Sequence, residues 1–136
     1  MSNYNSILVF KNYIVNKVEY NNNPNFKGDE KGTPINLKIK HIIDINKKSM
    51  NVTLITEIFE DAEKNNYPFE MTVSITGRFE TEEEEPKKFT KNAIAIMYPY
   101  VRAIVSTYTA SANVPPLILP AINVNKLIEE QEEKKD

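Results

Sequence analysis

The stretch Ile96–Pro120, IMYPYVRAIVSTYTASANVPPLILP, decides how the rest of the chain is read. It joins a run with helical spacing, interrupted only by Pro99, to an apolar segment held between Pro115, Pro116 and Pro120. Ile94, Met97, Tyr98, Val101, Val105 and Tyr108 recur along one helical face, the pattern of a helix laid on a sheet. Ile96, Tyr100, Ala103 and Thr107 form a second stripe on nearly the opposite side. One sheet cannot bury both stripes, and the chain holds no second long helix, so the second stripe predicts contact with another copy of the chain. Pro99 lacks the N–H that a helix interior uses and costs about 3 kcal/mol there, which predicts a bend or an irregular first turn. Helix cannot run on through NVPPLILP, because proline fixes φ and disfavours α geometry in the residue before it. A last short helix is expected beyond, with Asn123 as N-cap and Val124, Leu127 and Ile128 on one side.

Upstream of the helix the period changes to two. In INLKIKHIIDI, Ile35, Leu37, Ile39, Ile43 and Ile45 oppose Asn36, Lys38, Lys40 and Asp44, with His41 on the apolar side. YPFEMTVSITGRF alternates as cleanly, Phe69, Met71, Val73, Ile75 and Phe79 against Glu70, Thr72, Ser74, Thr76 and Arg78. MNVTLITEIFE, Met50–Glu60, is rich in β-branched residues and apolar on both faces, which predicts an interior strand. Near the start, Leu8, Phe10, Ile14, Val18 and Tyr20 fall in one register, with Tyr13 and Val15 in the other. NKKS and DAEKNNY are polar turns suited to antiparallel neighbours. Asn21–Thr33 is a longer loop, a crossover or a functional surface, carrying one aromatic, Phe26, and TEEEEPKK is a solvated charge run before the helix. The pattern predicts an α+β fold.

Composition removes several function classes. The chain has 136 residues, the size of one domain, so a single domain spanning 1–136 with an acidic tail from about 130 is expected. Cysteine is absent, which excludes disulfides, thiolate nucleophiles and cysteine metal sites. MSNYNSILVFKNY has no signal-peptide pattern and no apolar run is long enough to span a bilayer, so a soluble cytoplasmic protein without membrane insertion is expected. Lysines outside the acidic runs are scattered singly among asparagines, without the basic stripe that nucleic-acid binding needs. No phosphate-binding loop, dinucleotide fingerprint or nucleophile elbow occurs, and the one histidine, His41, reads as a core or interface residue. Glu82–Glu85 lacks the alternation and glycine of a calcium loop. No catalytic residue, metal or cofactor is expected.

The segment NAIAIMYPYVRAIVSTYTASANVPPLILPAINVNKLIEE, with its Pro-Tyr-x-Arg core at Pro99–Arg102, resembles the SecB family of bacterial protein-export chaperones. The proline-bounded PPLILPAINVNKL and the preceding FEMTVSITGRF extend the resemblance over nearly the whole chain, from about Ile7 to Glu130. The resemblance implies a four-stranded antiparallel sheet backed by one long helix, a short C-terminal helix and assembly as a dimer of dimers. It implies that unfolded polypeptides or preproteins are held, without ATP, in apolar grooves to which Phe26, Leu117, Ile118, Leu119, Val124, Leu127 and Ile128 contribute. Phe69, Met71, Val73 and Ile75 of the fourth strand are implied in subunit contacts, beside the stripe of Ile96, Tyr100, Ala103 and Thr107 read from the helix itself. Family exporters dock the translocase motor SecA through acidic residues on the outer face of the sheet. The matching positions here are Lys17, Glu70 and Thr72, not a clear acidic patch, which puts SecA coupling in doubt and keeps open a chaperone dedicated to a toxin–antitoxin pair. A non-chaperone structural or small-ligand-binding oligomer is the alternative from another class.

Overall fold

A computed structural model describes residues 8–135, with side-chain surroundings up to residue 130. The first seven residues and the side chains of the acidic tail beyond 130 lie outside the described residues. Strands β1 (Val9–Asn22), β2 (Leu37–Asn46), β3 (Ser49–Ile58) and β4 (Phe69–Glu80) are followed by the long helix α2 (Thr90–Ser111) and the short helix α3 (Val124–Lys135). A single helical turn, α1 (Ala62–Asn65), lies between β3 and β4, and a 3₁₀ turn, Pro86–Phe89, leads into α2. The four strands form one antiparallel sheet in the order β1-β4-β3-β2, so β1 and β2 are its edges. Sequence reading treats DAEKNNY as a plain turn; the structure folds part of it into α1 because Ala62 is buried there.

Alternation builds the core. On β3, Met50, Val52, Leu54, Thr56 and Ile58 all face inward and are fully buried, and on β4 the same holds for Phe69, Met71, Val73, Ile75 and Phe79. Helix α2 lies on this face and adds Ala93, Ile94, Met97, Tyr98, Val101 and Val105. Gly77 lets the helix come close: a Cβ there would sit 2.8 Å from the Met97 sulfur and 2.9 Å from the Phe79 ring. The β2–β3 hairpin closes through Lys47 and Lys48, with Lys47 at φ 58, the left-handed conformation that tight two-residue turns need.

β1 departs from the simple alternation. Register shifts at Lys11 and Asn16 reset the phase twice, so Phe10, Tyr13, Val15, Val18 and Tyr20 pair with the inward residues of β4, while Ile14 pairs with outward Thr76. Ile14 is accordingly exposed, and Tyr13 belongs with Phe10 rather than opposite it. Tyr100 from α2 reaches over this strand to Tyr13 (ring centroids 4.6 Å apart) and Phe10 (5.7 Å), and Tyr108 reaches Tyr20 (5.6 Å). Helix α2 is continuous through Pro99, which lies on its exposed side.

Candidate functional site

The proline segment after α2 is a strap, and the helix holds it by its backbone. Tyr98 OH donates to the Pro120 carbonyl at 2.7 Å, Arg102 Nε to the Leu119 carbonyl at 3.0 Å and Ser106 Oγ to the Leu117 carbonyl at 2.9 Å. Thr109 Oγ1 accepts the Leu117 N–H at 2.9 Å and donates to the Val105 carbonyl at 2.8 Å. These four side chains recur at helical spacing, so one polar row on α2 satisfies an extended segment that has no strand beside it. Burial pushes the Tyr98 hydroxyl above the ordinary tyrosine value, an effect that nearby Arg102 partly opposes. The strap alternates like a strand: Leu117 is half-buried, Ile118 is 70% exposed and Leu119 is fully buried.

The strap delivers the chain to α3, where Asn123 Oδ1 accepts the Lys126 N–H at 3.0 Å and caps the helix. Ile128 closes the core, while Val124 and Leu127 stay half-buried. Between α3 and edge strand β2 lies an open trough of about 550 Å³, lined by Leu37, Ile39, Ile122 and Leu127 with Lys38, Lys40, Lys126 and Glu130 among its polar groups. A second hollow of about 540 Å³ continues along β2 past His41, Ile43 and Ile45, with Lys87 at its side. Together they follow β2 for nine residues, about 30 Å at the rise of an extended chain.

The residues implied in client binding therefore separate. Leu127 lines the trough. Ile118 is exposed on the strap, and Val124 sits half-buried at the start of α3. Leu119 is fully buried and Ile128 nearly so, because the strap and α3 turn them inward, and neither lines the trough. Leu117 packs half-buried against the core, and Phe26 is half-buried on the crossover loop, away from the trough. Leu37, Ile39 and Ile122 line the trough although sequence reasoning assigned them only to strand and loop. The signal for the first two was their alternation, but nothing in the sequence says that β2 is an edge.

The implied subunit contacts separate as well. Phe69, Met71, Val73 and Ile75 are buried beneath α2 within one chain. On the outer stripe of α2, Ile96 is half-buried, Tyr100 leans on Tyr13, and Ala103 and Thr107 are exposed. The outer face of the sheet is internally compensated: Lys17 meets Glu19 at 3.5 Å and Lys40 meets Glu57 at 3.1 Å. Glu70 accepts the Ala62 N–H at 3.2 Å, and Thr72 stands in register with Glu19 and Glu57. At the centre, Thr53 and Thr76 share a hydroxyl hydrogen bond of 2.8 Å between exposed Ile14 and Ile42. Among the described residues no group of His, Asp or Glu could hold a metal, and no helix is long and apolar enough to cross a membrane.

Comparison with known proteins agrees with this architecture. A SecB-like chaperone of Mycobacterium tuberculosis, solved with a peptide from an antitoxin, has a similar fold, with a TM-score of 0.67 at 15% identity over 85% of this chain and 90% of that one. A protein of unknown function from Streptococcus agalactiae follows at a TM-score of 0.53, 16% identical over 85% of this chain and 98% of its own. In sequence, the chain is 38% identical to an uncharacterized protein of Methanocaldococcus jannaschii, covering 95% of this chain and 87% of that protein. The sequence profile described as preprotein translocase subunit SecB matches residues 6–135. With a match over nearly its whole length and a sheet, long helix and C-terminal helix in the expected arrangement, the chain belongs to the SecB family, whose chaperones are not enzymes.

Proposed function

We propose that this protein is an ATP-independent holdase that keeps polypeptides unfolded by binding them in extended form along the trough between β2 and α3. The observation that carries this reading is the open apolar lining, Leu37, Ile39, Ile122 and Leu127, beside an edge strand. Each client side chain buried there contributes about 1–3 kcal/mol and demands little polar matching, so recognition is broad in sequence. Folded proteins hide such side chains, so only unfolded clients bind. The strap is already fixed by four side chains of α2 and loses little entropy when a client docks.

The same reading has the protein act in the cytoplasm as a homotetramer, with the exposed stripe around Ala103 and Thr107 between subunits. Several troughs on one particle then multiply weak contacts through effective concentration. Its clients are preproteins awaiting export. Light scattering of a denatured client, refolded by dilution with the protein in several-fold excess, tests the reading. Suppressed aggregation supports it, and unchanged aggregation counts against it.

A second reading, a chaperone dedicated to an antitoxin, is favoured by the outer sheet face, where Glu19, Glu57 and Glu70 each have a partner and the positions matching the SecA-docking residues are Lys17, Glu70 and Thr72. Titration against SecA and against an antitoxin tail peptide separates the two, since an export chaperone binds the first and a dedicated one only the second.

A further inference from the structure

The trough differs in charge from the rest of the molecule, and the difference bears on which unfolded segments it takes. The whole chain has a formal charge of −2, yet the two hollows along β2 are bordered by Lys38, Lys40, Lys87 and Lys126 against a single carboxylate, Glu130. Lys38 and Lys40 share their ammonium groups with Glu60 (4.0 Å) and Glu57 (3.1 Å), contacts that leave further N–H donors on each. Lys126 and Lys87 have no carboxylate within ion-pairing distance among the described residues. Lys126 stands on α3 across from Leu37–Lys40, and Lys87 stands on the 3₁₀ turn beside His41–Ile45, so an extended chain lying along β2 passes one cation near each end and apolar side chains between.

We infer that the trough selects apolar polypeptide segments flanked by acidic residues over equally apolar segments flanked by basic ones. This rests on the trough being the client site, as proposed above. The apolar lining supplies most of the affinity and is indifferent to sequence. The lysines supply the discrimination, because a client carboxylate beside Lys87 or Lys126 meets a cation that has no carboxylate within ion-pairing distance among the described residues, while a client lysine meets repulsion.

Two fluorescent peptides with the same leucine- and isoleucine-rich centre, one flanked by Asp and Glu and the other by Lys and Arg, test this by anisotropy against the full chain. The acidic peptide is expected to bind about fivefold tighter at low salt, with the advantage largely gone at about 0.5 M, where screening shortens to a few ångströms. The exposed pair Lys87→Glu and Lys126→Glu should reverse the preference without changing the circular dichroism spectrum. Equal affinities, or tighter binding of the basic peptide, overturn the charge selection and leave the holdase reading intact. Failure of both peptides to bind overturns both together.

Discussion

Arg102 Nε donates to the carbonyl oxygen of Leu119 at 3.0 Å, tying the middle of the long helix to a residue whose own side chain is fully buried. The Pro-Tyr-x-Arg core thus has a structural explanation: the arginine is the helix's hold on the strap. Arg102→Ala leaves a partly buried carbonyl without its donor, and an expected loss is about 2 kcal/mol of stability. Urea denaturation measures it. A variant as stable as the parent would mean that the strap is held by its prolines and leucines alone.

Tyr98 grips the same strap and makes its stability depend on pH. Only the neutral phenol donates to the Pro120 carbonyl, and burial raises its folded pKa above the unfolded value of about 10. The unfolded chain therefore ionises first as pH rises. The stabilisation is full below about pH 10 and is lost as pH climbs through the raised folded value. Tyr98→Phe should flatten the fall in melting temperature between about pH 9 and 11. It should not abolish that fall, because burial and the neighbouring Tyr108 also raise Tyr20. An unchanged slope in the variant would place the ionisation elsewhere.

Thr56 sits on the inner face of β3 between Ile39 and Val73, fully buried, and its hydroxyl has no hydrogen-bond partner among the described residues. Thr56→Val keeps the shape and removes an unsatisfied polar group, so the protein should gain about 1 kcal/mol. Differential scanning calorimetry reads this as a higher melting temperature. A lower one would reveal a partner, such as a bound water, that the valine displaces.

Ala103 is exposed on the outer stripe of α2, where a small side chain suits close approach of a second helix. If this stripe joins subunits as proposed, Ala103→Glu introduces a charge into the contact, and native mass spectrometry should find dimers in place of tetramers. Tetramers that persist at low concentration would move the interface off this face.

How much of this was readable depends on how directly side-chain period reports burial. β4 is paired on both sides and covered by α2, so Phe69 to Phe79 fall as their period requires, whereas β3, which reads as apolar on both faces, buries fully only the face of Met50, Val52, Leu54, Thr56 and Ile58. β1 defeats the same reasoning, since bulges at Lys11 and Asn16 change the phase without changing the composition. The inner stripe of α2 was legible except at Tyr108, which leans outward onto Tyr20. The strap was readable as extended but not as alternating: which of Leu117, Ile118 and Leu119 turns inward is decided by Arg102, Ser106 and Thr109 catching its backbone. The trough was the least visible, because a groove belongs to two elements and strand order is not written in local sequence.

The central claim is that unfolded polypeptide lies between β2 and α3. Methyl-labelled protein titrated with an unfolded client and followed by NMR tests it most directly. The signals of Leu37, Ile39, Ile122 and Leu127 should shift or broaden while that of Ile14, on the outer face of the sheet, stays in place. Perturbation confined to Ile14, or a silent trough at saturating client, would contradict the account.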